Sequence, residues 1–440
     1  MPPPNPHQVY VIKHSLQPAT MDLDTFNWLL SDDGQALLAS AEQADLSEPA
    51  RLRELTQLRR LASAERAAAA YEIARLRAHA AAKFARAGAM YFTREALEQA
   101  SGELIAGYRA RRYAAYARVA DLCCGVGGDT LALARVAHVA AVDRDPLRLA
   151  MAEANARALG LAGRVAASLA DLEQAPPPDA DALFFDPSRR SAGRRVFALA
   201  EYQPPVALLA RWRAAAPAIG VKLAPGVADE DLAWLGRAVG AEFEAEFISV
   251  DGELKEAVLW FGPLGGATRR ATLLRSGEAA PAPSGPVAAT LCAQPALAPA
   301  ALSEPLAYLY EPDPAVIRAH LVAELAQNLG AAQLDRQIAY LTAGRHDATP
   351  FARCWRVLEW QPFGLKRLRA RLRALDAGPV TVKKRGSPLD TDALARQLSG
   401  AGARALVVVL TQVSGRPVAL VCEGPLGAPE HSTPAASRSA

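Results

Sequence analysis

Residues 119–261 predict an open α/β fold built on a parallel, doubly wound sheet, and three observations carry that prediction. Short apolar runs at Val119–Leu122, Val139–Val142, Val165–Ser168, Ala182–Phe185 and Ile219–Leu223 alternate with helical stretches. The first run passes into Cys123-Cys124-Gly125-Val126-Gly127-Gly128 and then a helix over Thr130–Val136, which puts a glycine-rich turn at a strand's carboxyl end. Acids follow the later runs in order: Asp143, Asp171 and Asp186. Two more runs, Phe243–Val250 and Ala257–Phe261, are joined around Asp251-Gly252 and predict an antiparallel hairpin at the sheet edge.

Residues 1–90 form a separate helical region. Ala, Leu and Arg dominate from Asp24 to Arg86, and Leu52, Leu55, Leu58 and Leu61 recur at helical spacing, as if on one face. Nine Lys/Arg oppose three acids between Arg51 and Arg86, so a solvated helix face and a phosphate-tracking surface are both open readings. The sheet domain takes 91–265, and 266–304 reads as a Pro/Ala-rich linker. A small α+β module follows over 305–345 and 350–425. It opens with a helix from Pro314 to Leu329, capped by Asp313-Pro314. Strands Cys354–Trp360, Val380–Lys384, Ala403–Leu410 and Pro417–Cys422 and helices Leu365–Leu375 and Thr391–Leu398 complete it. Residues 426–440 have the composition of a disordered tail.

With 49 Lys+Arg against 46 Asp+Glu, the 440-residue chain carries a net charge of +3, so it is not a basic coat for nucleic acid. Charge is clustered instead: between Gln361 and Asp390 eight Lys/Arg oppose two Asp. Leu365, Leu368, Leu372 and Leu375 give that helix a buried stripe ringed by arginines. Five cysteines without a Cys-x-x-Cys argue for a reducing compartment and against a metal site. The start, MPPPNPHQ, lacks the marks of a signal peptide, and no apolar run nears the ~18 residues of a membrane span, so a cytoplasmic protein is expected.

The glycine-rich turn narrows the ligand. A dinucleotide site needs Gly-x-Gly-x-x-Gly and welcomes a pyrophosphate. Here Gly125, Gly127 and Gly128 lie between Asp121 and Asp129, and two carboxylates would repel a pyrophosphate. They suit a ligand with an amino group and a positive sulfur, which describes S-adenosylmethionine. Asp143 is placed to accept from ribose hydroxyls and Asp171 from an adenine amino group. Asp186-Pro187 arrives at the carboxyl edge of the sheet, where open α/β folds bind ligands.

In that order these motifs resemble class I S-adenosylmethionine-dependent methyltransferases, with Cys123 where glycine is usual. A closer resemblance covers most of the chain. KFARAGAMYFTREALEQAS, DLCCGVGGD, FFDPSRR, VKLAPG, YEPDPAVIRA and VKKRG are similar to a bacterial family with a C-terminal THUMP-like domain. The resemblance implies a Rossmann-type methyltransferase sheet with an N-terminal helical region and a small C-terminal ferredoxin-like and THUMP-like module. It implies cofactor contacts at Asp121, Cys123, Gly125, Gly127, Asp143 and Asp171, with Ser101 opening a helix beside them, and an RNA substrate, ribosomal or transfer.

In amino-methylating relatives the fourth motif is Asn/Asp-Pro-Pro-aromatic, and its acceptors aim an amino nitrogen at the methyl group. By that likeness Asp186 and Pro187 are the catalytic pair, with Ser188 and Arg189 replacing Pro and the aromatic. The motif is also similar to the Asp-Pro-Pro-Arg of 5-methyluridine RNA methyltransferases, but those enzymes need a nucleophilic Cys at the fifth strand and Val221-Lys-Leu-Ala-Pro-Gly226 has none, so nitrogen is favoured over carbon as the target. Arg189, Arg190, Lys366, Arg367, Lys383, Lys384 and Arg385 are the candidate phosphate contacts. Two other readings stay open: an RNA-binding scaffold whose methyltransferase fold is idle, and a methyltransferase of a small molecule or a protein.

Overall fold

A computed structural model describes residues 21–188, 190–191, 194–195, 199–276 and 288–426. The chain divides into two compact units, Met1–Ala106 with Cys124–Asp171 and Gly107–Cys123 with Leu172–Ala440.

In the first unit, helices α1 (Leu23–Leu29), α2 (Asp32–Glu42), α3 (Arg51–Leu58), α4 (Ala64–Ala80) and α5 (Arg94–Gln99) precede α6 (Glu103–Ala110), whose second half belongs to the other unit. Side chains of Asp22, Ser31, Ser63 and Thr93 cap four of these helices by accepting a first-turn backbone N–H. The four leucines expected on one face are not. A step of three residues precesses by about 60° around a helix, so Leu52 and Leu61 stand on opposite sides. Leu58 is buried, while Leu52 and Leu61 are 74% and 66% exposed, and Leu61 lies beyond the end of α3. Part of the basic excess of this region is drawn into ion pairs: Arg75 with Glu48 and Glu72, Arg77 with Glu42, and Arg53 with Asp45 and Glu54.

The helical core includes Phe26, Leu38, Tyr71, Ile73 and Phe92, and continues into Val126, Leu131 and Met151 of the segment after the glycine turn. There α7 (Gly128–Leu133), strand β2 (His138–Asp143), α8 (Pro146–Ala158) and strand β3 (Val165–Leu169) follow, and β2 and β3 pair in parallel.

In the second unit, β1 (Arg118–Leu122), β4 (Ala182–Phe185), α9 (Leu209–Trp212), β5 (Ala218–Leu223), α10 (Asp229–Val239), β6 (Phe243–Val250), β7 (Glu253–Phe261), β8 (Arg269–Leu274) and β9 (Ala288–Cys292) appear in turn. The strands lie in the order β9-β8-β6-β7-β5-β4-β1, with β1, β4 and β5 parallel. Two expectations are corrected here. The β6–β7 hairpin is interior: β7 pairs with β5 and β6 with β8. Six consecutive buried residues in β6 already demand cover on both faces and neighbours on both sides. The supposed linker 266–304 contributes β8 and β9 to the sheet.

The tail folds on a second sheet built from β10 (Tyr308–Pro312), β11 (Ala332–Asp335), β12 (Ile338–Ala343), β13 (Ala352–Pro362), β14 (Ala377–Lys384), β15 (Arg404–Val413) and β16 (Arg416–Leu426), in the order β11-β12-β10-β13-β16-β15-β14. The segments 305–345 and 350–425 therefore share one sheet. The helix expected over Pro314–Leu329 is two, α11 (Pro314–Arg318) and α12 (Val322–Leu329), broken where His320 takes φ 60°. Helices α13 (Leu365–Ala374) and α14 (Thr391–Leu398) pack on this sheet through Leu368, Leu372, Leu394 and Leu398, with Leu365 and Leu375 half-buried beside them. Among the described residues no helix is long and apolar enough to cross a membrane.

Candidate active site

The glycine turn is fixed by backbone conformation before any side chain acts. Cys123, Gly125 and Gly127 all have positive φ, 66°, 57° and 92°. That explains why glycine is usual at the position of Cys123, where a side chain in the left-handed region is strained. Gly127 is the N-cap of α7. A Cβ on it would stand 3.4 Å from Ala152, so α8 closes down on the turn. Cys124 is buried with Ala141, Leu149 and Ala152 as a small packing residue.

Asp143 braces this turn. Its Oδ2 accepts from the Gly125 N–H at 2.9 Å and its Oδ1 from the Asp145 N–H at 2.9 Å. The carboxylate expected to serve a ribose is thus also a structural clamp, although a carboxylate offers about four acceptor sites and keeps some for a ligand. Asp145 in turn caps α8 through the N–H groups of Leu147 and Arg148. Asp171 follows β3, half-buried, next to Ala170, whose N–H donates to the Asp143 carbonyl at 3.1 Å. The backbone of Ser101 lies against the start of α7: a Cβ on Gly128 would come within 3.1 Å of the Ser101 carbonyl oxygen. Glu103 is committed to structure, accepting from the Ala85 N–H and from Arg135. Burial raises its pKa, but these two donors outweigh burial and hold the carboxyl below its usual range.

Asn155 is a residue that sequence reasoning missed. Fully buried on α8, it donates to the carbonyls of Val126 (2.8 Å) and Tyr91 (3.0 Å) and accepts from the Tyr91 N–H (2.7 Å). It ties the glycine turn to the helical region. The only available signal was a lone amide on the alanine-rich face of a helix.

In the second unit, Asp121 is 1% exposed at the end of β1. The Asp186 N–H donates to the Leu122 carbonyl at 3.2 Å, just past the end of β4. Pro187 is buried, and Ser188 exchanges two backbone hydrogen bonds with Gln203, 2.8 and 3.0 Å. That bridge restrains the turn where a second proline is absent. The Asp186 carboxylate is half-exposed, and its Oδ2 accepts from Lys222 Nζ at 2.6 Å. Arg189 lies outside the described residues. Arg190 forms a two-residue ribbon with Arg195, and its side chain is likewise outside them.

The tail candidates separate into two groups. Lys366 and Arg367 are exposed on α13 and make no ion pair among the described residues. Lys383 bonds Glu311 at 2.6 Å and lies over the Trp355 ring. Arg385 lies 4.0 Å from Glu311 and over Tyr340, and Lys384 donates to the Leu389 carbonyl. The second basic cluster is thus partly neutralised inside its own module.

Among the described residues no group of three or more His, Cys, Asp or Glu could hold a metal. Within the first unit, a turn of positive-φ glycines opened for close approach, held by Asp143 and followed by the buried Asp129, fits an adenosyl ligand bearing an amino group and a sulfonium.

Fold and turn together define an S-adenosylmethionine-dependent methyltransferase of the Rossmann type, and comparison with known proteins agrees. Two Mycobacterium tuberculosis proteins, from strains CDC 1551/Oshkosh and H37Rv, are each 41% identical over 327 residues, spanning 73% of this chain and 84% of theirs. Both are described as uncharacterised S-adenosylmethionine-dependent methyltransferases, and this chain belongs to their family. Residues 116–210 match the RNA cap guanine-N2 methyltransferase family, 352–424 a THUMP domain-like family, and 22–80 a domain of unknown function. A methyltransferase-class crystal structure from Porphyromonas gingivalis W83 shares the fold, with a TM-score of 0.67 at 20% identity, covering 88% of this chain and 98% of that one.

Proposed function

We propose that this methyltransferase modifies a nitrogen of a nucleotide base in RNA, ribosomal or transfer, with Asp186 and Pro187 at the reacting centre. The observation that carries the reading is the placement of Asp186, anchored to β1 through Leu122, one strand-end away from where the chain enters the glycine turn. The match of 116–210 to a guanine-N2 methyltransferase family supports an amino-group target, and the THUMP-like tail supports RNA.

Asp121, Cys123, Gly125, Gly127, Asp143, Asp171 and Ser101 are assigned to the cofactor. When bound, S-adenosylmethionine would supply an electrophilic methyl group to the substrate nitrogen, its sulfur retaining the electron pair of the methyl–sulfur bond. Asp186 accepts the substrate N–H, turns the lone pair toward the methyl group and takes the proton that the methylated nitrogen sheds, passing it to water. The Pro187 carbonyl is the second acceptor.

The test is transfer of label from S-adenosylmethionine to size-fractionated RNA of a strain lacking the gene. Label in one RNA class supports the reading, and digestion of that RNA fixes the atom. No label in any class removes RNA as substrate.

Two predictions belong to this reading. Asp143→Ala removes charge-assisted bonds to Gly125 and Asp145 as well as the ribose acceptor, each bond worth about 1.5–3 kcal/mol. Calorimetry is expected to show cofactor affinity reduced by about 10–100-fold or more; an unchanged Kd takes Asp143 out of the cofactor site. Replacing both Lys366 and Arg367 by Ala should weaken RNA retention and flatten the log–log salt dependence by about 1 per cation removed. An unaltered slope in filter binding places the RNA path elsewhere.

A further inference from the structure

We propose that Lys222 is a positioning residue for the methyl-transfer reaction, acting through Asp186. The inference rests on the reading of Asp186 as the substrate's acceptor. Strands β4 and β5 pair in parallel with Phe185 opposite Val221. One step further along that register, Asp186 and Lys222 fall side by side at the carboxyl edge. There the ammonium meets Oδ2 at 2.6 Å, with the lysine side chain 13% and the aspartate 28% exposed.

The consequence is geometric. A carboxylate on a free turn rotates about its last bond and presents either oxygen. Held at Oδ2, it offers Oδ1 in one orientation, the pre-arrangement that aligning a nitrogen lone pair requires. The fourth motif here lacks the second proline of its amino-methylating relatives. Two features on neighbouring elements restrain the turn instead: the Ser188–Gln203 backbone bridge and the Lys222 ion pair.

The experiment compares full-length Lys222→Met, Lys222→Arg, Asp186→Ala and the Lys222→Met/Asp186→Ala double variant. Each is assayed for labelled methyl transfer to total RNA from the deletion strain, with cofactor Kd by calorimetry and melting temperature measured on the same preparations. Lys222→Met is expected to lose about 100-fold in maximal rate with the half-saturating RNA concentration and the cofactor Kd unchanged. Lys222→Arg should recover part of the rate, and the double variant should be no slower than Asp186→Ala alone. A purely structural lysine would instead lower the melting temperature and cofactor affinity together, and arginine would not restore the rate. Lys222→Met at the wild-type rate, or losses that multiply in the double variant, overturn the inference. A wild-type protein that transfers nothing to RNA overturns the RNA reading itself, a result distinct from either of those.

Discussion

Asp186→Ala is expected to lower the maximal rate of methyl transfer by about 10²–10⁴-fold while leaving S-adenosylmethionine affinity unchanged. The separation follows from where the residue sits. Its backbone is secured to Leu122 and the turn behind it is held by the Ser188–Gln203 bridge, so neither depends on the carboxylate. The glycine turn is braced by Asp143, on a different strand. Truncation therefore removes the proposed acceptor for the substrate N–H and strips Lys222 of a close partner. Asp186→Asn keeps the shape and one acceptor oxygen, and should fall between wild type and Ala. The measurement is single-turnover transfer beside a calorimetric Kd. A full rate in Asp186→Ala would move catalysis to other residues. A lost Kd would show that Asp186 belongs to the cofactor site.

Much of this arrangement was legible because it depends on short-range rules. Apolar runs at short spacing marked the strands from β1 to β5 almost to the residue, and β4 falls on Ala182–Phe185 as read. The glycine turn announced itself because only certain residues tolerate positive φ, and the position of Cys123 drew notice for breaking that rule. What escaped depends on pairings distant in sequence. β9 lies in a Pro/Ala-rich stretch whose composition resembles a linker, and it is a strand because it pairs with β8. The break after α11 sits at His320, with no glycine or proline nearby to mark it. The partners of the basic residues were hidden for the same reason. Glu311 is 72 positions from Lys383, and no local pattern couples them.

The buried polar layer near β6 and β7 was equally invisible, and it carries the largest stability prediction. Glu246 is fully buried and accepts from Tyr108 (2.6 Å), Trp260 Nε1 (2.7 Å), Arg112 (3.0 Å) and Thr272. Beside it Glu244 takes Arg112, Arg270 and the Gly266 and Ala267 N–H groups. Burial alone would raise the Glu244 carboxyl, but hydrogen bonds from Arg270 and Arg112 overcome it and bring the pKa down to about 2. A carboxyl depressed on folding stabilises the native state above its unfolded value, near 4.5, and loses that contribution as pH falls toward about 2. Replacing Glu246 by Ala takes a buried acceptor from four donors: Trp260 Nε1 loses its carboxylate, Tyr108 and Thr272 keep only each other, and Arg112 keeps one carboxylate instead of two. Breaking such a buried pair costs about 3–5 kcal/mol. For a unit of this size that corresponds to roughly 6–20 °C in melting temperature. Glu246→Gln retains the volume and one acceptor but turns an NH2 toward donors, so it should also destabilise, by less. Thermal unfolding followed by circular dichroism at neutral pH tests both. A shift of under about 2 °C for Glu246→Ala would mean that water or neighbouring acids replace the carboxylate. The layer would then be a set of independent surface-like contacts rather than a coupled network.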